Sequence, residues 1–237
     1  AVLDAEKLST QIKFNSYDIA NLEGRLDINV TPDRAISGYT KLHQMNLQSL
    51  SELMPQLEHL AGTVSSELTI AGTLNKPDIS GELSLTKGEL LIAANPTLLE
   101  NINLSLSLLG QKAKVNGHWL MGEGAATLDG LLNWGNDQFT GDIAFNGDNL
   151  AIIKPPLVMM NISPDLNIHF KKNKVDVQGV LNILSGNIKV AQLSKGGIAE
   201  SQDVIFEDSI SSDSVAKNPL AITTNVKINV FNKLKID

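Results

Sequence analysis

Glycine recurs in phase with the apolar residues of alternating segments, and this constrains the chain more than any other feature. It replaces an apolar side chain in Leu22/Gly24/Leu26, Ile70/Gly72/Leu74, Ile79/Gly81/Leu83, Val115/Gly117/Trp119 and Val177/Gly179/Leu181. Gly38 follows Ile36 in the same phase. Ala126, Leu128, Gly130, Leu132 and Trp134 fall on alternate residues, and beyond Gly135-Asn136-Asp137 so do Phe139, Gly141, Ile143 and Phe145. Period two is the signature of strands with one apolar and one polar face. A strand glycine gives up side-chain packing and costs backbone entropy, so it marks a bend or a close backbone approach. Its recurrence in strand after strand, on the apolar face, predicts a sheet that curls along a crease and encloses its apolar side.

The rest of the chain extends this pattern. Ile12 and Phe14 open a first strand, Leu22 to Val30 a second, and Thr31-Pro32-Asp33 turns into Ile36, Gly38 and Leu42. Residues 46–61 change period. Leu47, Leu50, Leu53/Met54, Leu57 and Leu60/Ala61 keep three/four spacing, which predicts a helix with an apolar stripe, capped by Asn46, ended by Gly62 and split at Pro55. Such a helix either plugs one end of the sheet or gates a groove or membrane contact. Strands resume from Val64, turn at Asn75–Asp78 and again at Lys87-Gly88, and pass a loop over residues 93–97. Ile102 to Leu108 pairs with Ala113 to Trp119 across Gly110-Gln111. Lys154-Pro155-Pro156 reads as a rigid break, and Val158-Met159-Met160 has no clear phase. Leu166, Ile168 and Phe170 form a hairpin with Val175, Val177, Gly179 and Leu181, and Ile222 to Val230 makes a last strand. Residues 194–219, rich in Ser, Asp, Glu and Gly, read as a mobile polar loop. Most strands are expected to run eight to ten residues, about 30 Å at roughly 3.3 Å per residue.

The 237 residues are thus expected to form one elongated β domain, a piece of a longer chain. Aromatics are only 4%, so Leu, Ile and Val must line the apolar face. A net charge of -7 lacks the basic footprint of a nucleic-acid binder. With no cysteine there is no disulfide framework or thiolate metal site. No apolar run reaches the ~18 residues of a membrane helix, and Ala1-Val2-Leu3-Asp4 is not a signal peptide.

Catalytic and metal-binding constellations are missing from the reading. His43, His59, His118 and His169 have no ligand spacing, and the last two fall on the polar phase. Glu207, Asp208 and Asp213 lack the ladder of a calcium loop. Gly122-Glu123-Gly124 and Gly196-Gly197 lack a phosphate-loop context. Neither an enzyme nor a cofactor is indicated.

Two stretches resemble a known family. Leu60 to Leu90 (LAGTVSSELTIAGTLNKPDISGELSLTKGEL) carries a glycine–proline–glycine strand pattern shared by AsmA-like repeats. Ile162 to Leu193 (ISPDLNIHFKKNKVDVQGVLNILSGNIKVAQL), followed by the acidic Asp203–Asp208, resembles the TamB family, the periplasmic subunit of the bacterial translocation and assembly module. The resemblance implies a taco-like, mostly antiparallel sheet with a hydrophobic concave face. It implies anchoring of the full-length protein in the inner membrane of a Gram-negative bacterium, with this part in the periplasm. It also implies phospholipid transport between inner and outer membranes, and work with the barrel partner TamA, through a region absent here, on outer-membrane protein clients.

The residues agree with the first role on their own account, because a one-sided greasy sheet with a glycine crease is a trough for acyl chains. Its expected lining is Leu26, Ile70, Leu83, Leu106, Val115, Leu128, Leu132, Ile143, Phe145, Ile168, Val177 and Leu181. The expected crease glycines are Gly24, Gly72, Gly81, Gly117, Gly130, Gly141 and Gly179. Two other readings stay open: an assembly chaperone offering strand edges to unfolded barrel clients, and a passive spacer or adhesin with a dry, closed core.

Overall fold

Side chains alternate between faces along a strand, so a one-residue slip would turn every apolar side chain to the wrong face. In the computed structural model of the chain the strands meet this constraint by pairing in sequence order. The structure describes residues 2–3, 7–54, 56–92, 95–135, 138–154, 158–189, 221–231 and 234–236.

All fifteen strands belong to one sheet. They are β1 (Val2–Leu3), β2 (Lys7–Asn15), β3 (Ala20–Asn29), β4 (Ile36–Asn46), β5 (Leu57–Gly72), β6 (Pro77–Ile92), β7 (Asn95–Leu109) and β8 (Lys112–Met121). There follow β9 (Gly124–Asn133), β10 (Thr140–Asp148), β11 (Leu150–Lys154), β12 (Val158–Lys171), β13 (Lys174–Ile188), β14 (Ala221–Val230) and β15 (Leu234–Ile236). The spatial order runs β1 to β10, then β12, β13 and β14, with β11 beside β12 and β15 beside β13. Every pairing is antiparallel except those of β14 and β15, which run parallel to β13. The mostly antiparallel all-β sheet read from the alternation is therefore present, and it is not closed into a barrel.

The helix expected over 46–61 is much shorter. Asn46 does cap it, its side chain accepting from the Gln48 N–H at 3.0 Å, but a 3₁₀ turn covers only Leu47–Leu53. Leu57 to Ala61 instead hydrogen-bond along β6, opposite Ile92 to Glu89. Tertiary pairing overrides the three/four spacing, as it readily does for a short segment. Gly62 has the positive φ of a helix end (+127°) but uses it at a bulge inside β5. Pro55, Pro155 and Pro156, and the polar segment 194–219, lie outside the described residues.

Two expected turns are likewise absorbed into longer strands. Lys87-Gly88 is a bulge, with Lys87 at φ +51°, and β6 runs through it. The expected loop at 93–97 gives way to β7 from Asn95, residues 93 and 94 lying outside the described set. β5 and β6 thus reach 16 residues each, well beyond the expected eight to ten.

The sheet curls around its apolar face. β11 packs against β7 and β9, neither of which is its ladder neighbour, where it lies over the end of the β8–β9 hairpin. Leu150 of β11 is buried with Met121 and Ala126, and Leu99, Trp119, Phe145, Ile152 and Ile162 close around them. At the opposite end of the hairpin the Trp134 indole N–H donates to the Pro77 carbonyl at 3.2 Å. Elsewhere burial is shallow. Among the described residues the buried hydrophobics are Ala20, Ile36, Ile102, Ala113, Met121, Ala126 and Leu150.

Candidate functional site

The ladder registers carry the apolar phase across the whole sheet in continuous rows. One row passes from Ile12 through Gly24, Thr40, Leu68, Gly81, Leu108, Ala113, Leu132, Gly141, Phe170 and Val175 to Ile222, each opposite the next. A second joins Phe14, Leu22, Leu42, Ser66, Leu83, Leu106, Val115, Gly130, Ile143, Ile168, Val177 and Thr224. A third runs Ala20, Met45, Val64, Leu85, Leu104, Gly117, Leu128, Phe145, Leu166, Gly179 and Val226. Each of the first two rows crosses twelve strands, from β2 to β14. At roughly 4.8 Å between strands each row is about 50 Å long.

Of the expected lining residues, Leu83, Leu106, Val115, Ile143, Ile168 and Val177 share the second row. Leu132 lies in the first row, and Leu128 and Phe145 in the third. Leu26 and Ile70 are linked through Gly38 in a flanking row, and Leu181 stands on the other flank opposite Pro164 and Ile228. None is fully buried; Leu83 is 38% exposed and the others are half-buried. The described residues contain no second sheet, and the 3₁₀ turn packs against β5.

The crease glycines fall into two kinds. Gly117, Gly130 and Gly141 step from the third row to the first across β8, β9 and β10, forming a diagonal. Neighbouring side chains lean over them: a Cβ on Gly117 would lie 2.5 Å from Leu104 Cδ2, and one on Gly141 2.6 Å from Leu132 Cδ2. Gly81 and Gly179 are demanded by the backbone itself, with φ of +134° and +140° in the middle of β6 and β13. Gly72 is the last residue of β5, opposite Pro77 at the turn into β6, with a φ of +86°. Sequence reasoning missed β11 and Leu150; the only signal was the hydrophobic Leu-Ala-Ile-Ile run, too short to set a phase.

The opposite face carries the charge, along with exposed leucines such as Leu109, Leu120 and Leu131. Asp27 accepts from the Ser9 hydroxyl at 2.6 Å and pairs with Arg25 and Lys7 at 3.1 and 3.2 Å. Those contacts, the Ser9 hydrogen bond first, bring its carboxyl from 3.8 down to about 2. Lys41 and Glu67 pair at 2.6 Å, and His169 meets Asp142 at 2.6 Å. Asn116 donates to Asp129 on the same side. His118 and His169 are on this exposed face, where the alternation put them. Among the described residues no group of three or more His, Asp or Glu is placed to hold a metal ion, and no helix is long and apolar enough to cross a membrane.

Fold and site together define an all-β protein: among the described residues, one large curled sheet that is not closed, with rows of half-buried apolar side chains along one face. The TamB C-terminal domain family matches residues 118–237 and the TamB N-terminal domain family residues 1–85, and the chain belongs to the TamB family. It is 20% identical to the translocation and assembly module subunit TamB of Haemophilus influenzae, over 100% of this chain and 19% of that protein. It is 21% identical to an uncharacterized protein of Buchnera aphidicola, over 74% of this chain and 18% of that protein. The chain therefore spans about a fifth of the length of the curated relatives it matches. No solved structure matches it.

Proposed function

We propose that this chain is a stretch of periplasmic conduit whose trough carries phospholipid acyl chains between the inner and outer membranes. The observation behind this reading is the combination of continuity and exposure: rows about 50 Å long, apolar at every position over the roughly 30 Å from β6 to β13, in which no expected lining residue is fully buried. A closed core of the same composition would seal such side chains. An uncovered apolar surface of this extent calls for an occupant. Each CH₂ removed from water contributes about 0.8 kcal/mol, so sixteen methylenes give roughly 13 kcal/mol before ordering costs. The three rows also hold no charged side chain, so a chain bound by contact area alone can slide. The reading assigns no chemistry to the protein. Anchoring in the inner membrane and partnership with TamA belong to the proposal for the whole protein.

One further observation favours the chaperone reading in part. The edge strand β14 leaves Ile222, Ile228 and Val230 at 66%, 59% and 53% exposure, an edge to which an unfolded barrel strand can add.

Ile143→Asp separates the readings. In a wet trough the new carboxylate is solvated, so the conduit predicts native circular dichroism and phospholipid transfer reduced at least tenfold. Native circular dichroism with full transfer contradicts the conduit. Loss of the fold instead points to a dry core, where an unpaired buried charge costs several kcal/mol. Sensitivity confined to β14 favours the chaperone.

A further inference from the structure

The trough is not uniform along its length. In the three long rows every position from β6 to β13 is apolar. Toward β2 the character changes: Thr40 stands in the first row, Ser66 in the second, and Thr10 beside Leu26 in the flanking row. Thr40 and Ser66 are diagonal neighbours, since Thr40 lies opposite Leu68, two residues from Ser66. Gly24 separates Thr10 from Thr40, and with no side chain of its own it leaves a hollow of about 220 Å³ reached by both threonines. Among the described residues no hydrogen bond engages these three hydroxyls, and none is sealed from solvent. They are half-buried and in phase with the apolar wall; the charged residue that lines the hollow, Arg25, has its guanidinium paired with Asp27 on the opposite face.

Resting on the conduit reading, we infer that Thr10 and Thr40, which line one hollow beside Gly24, form a polar subsite for the ester-bearing glycerol region of a phospholipid, whose acyl chains lie toward β6 and beyond. Uncharged hydroxyl donors suit ester carbonyls. A phosphate or ammonium group would find no counter-charge on this face and stays in water above it. The subsite gives the trough a polarity, with lipid registering at the β2–β5 end and sliding over the apolar remainder.

The test uses the intact protein and diphenylhexatriene, a pure hydrocarbon probe, displaced by a diester phosphatidylethanolamine or by its diether analogue, which lacks both carbonyls. Wild-type protein is expected to bind the probe and to release it to the diester at a concentration at least fivefold lower than to the diether. In the double variant Thr10→Val, Thr40→Val the probe binds as before, which also certifies the fold, and the ester preference disappears. Replacing unpaired hydroxyls by apolar groups of similar shape is well tolerated. Equal displacement by the two lipids in wild type, or a preference that survives in the variant, overturns the subsite and leaves the conduit standing. A wild-type protein that takes up neither probe nor lipid removes both.

Discussion

Gly81 and Gly24 occupy the same row with two strands, β4 and β5, between them, yet they do different work. A Cβ at Gly81 would lie 2.0 Å from the Glu67 carbonyl oxygen, and its φ of +134° is closed to side chains. A Cβ at Gly24 would come no nearer than 3.1 Å, to the Tyr39 carbonyl oxygen. Gly81→Ala is therefore expected to lower stability by about 2–4 kcal/mol, and Gly24→Ala by less than about 1.5 kcal/mol, read as shifts in urea midpoint. Similar losses for the two would mean that β6 does not depend on this kink. Alternation alone shows that both glycines face inward. Which of them sustains a special backbone depends on how closely the next strand passes, and spacing within one strand carries no record of that.

Among the elements, β11 is where the sheet meets itself. Leu150, 3% exposed, sits with Met121 and Ala126 beneath this five-residue strand, and Trp119 stacks on Phe145 nearby with ring centroids 5.9 Å apart. Leu150→Ala should cost about 2–4 kcal/mol, the range for a truncated buried leucine. Leu106→Ala, on the half-buried trough wall, should cost under about 1.5 kcal/mol, because the water it admits already reaches that face. Equal costs would put the packing centre elsewhere. The same strand marks the limit of what the sequence discloses. The hairpins β7–β8, β9–β10 and β12–β13 are legible because each holds strict alternation on both sides of a turn. β11 is too short to show a period, and the leucines of 47–60 show a helical one that β6 overrides by pairing with Leu57 to Ala61. Parallel addition of β14 to β13 is likewise hidden, since alternation looks the same in either direction.

For the molecule as a whole, what matters is that row follows row without interruption. No single strand presents enough inward residues to hold a lipid, and the proposed trough depends on the registers of twelve strands aligning them. Family membership and geometry bear on separate questions: the first relates the chain to TamB, the second aligns apolar side chains that stay half-buried among the described residues. The hydroxyls at the β2–β5 end were visible as Thr and Ser in otherwise apolar phases, and their meaning emerges only once the rows are assembled. The most direct measurement of the central claim is photo-crosslinking in cells from a reactive amino acid at Ile143, with Asn116 on the polar face as control, and mass spectrometry of the adducts. The conduit predicts phospholipid adducts at Ile143 and none at Asn116. Adducts at Ile143 only to outer-membrane proteins, or only to the chain itself, would contradict it.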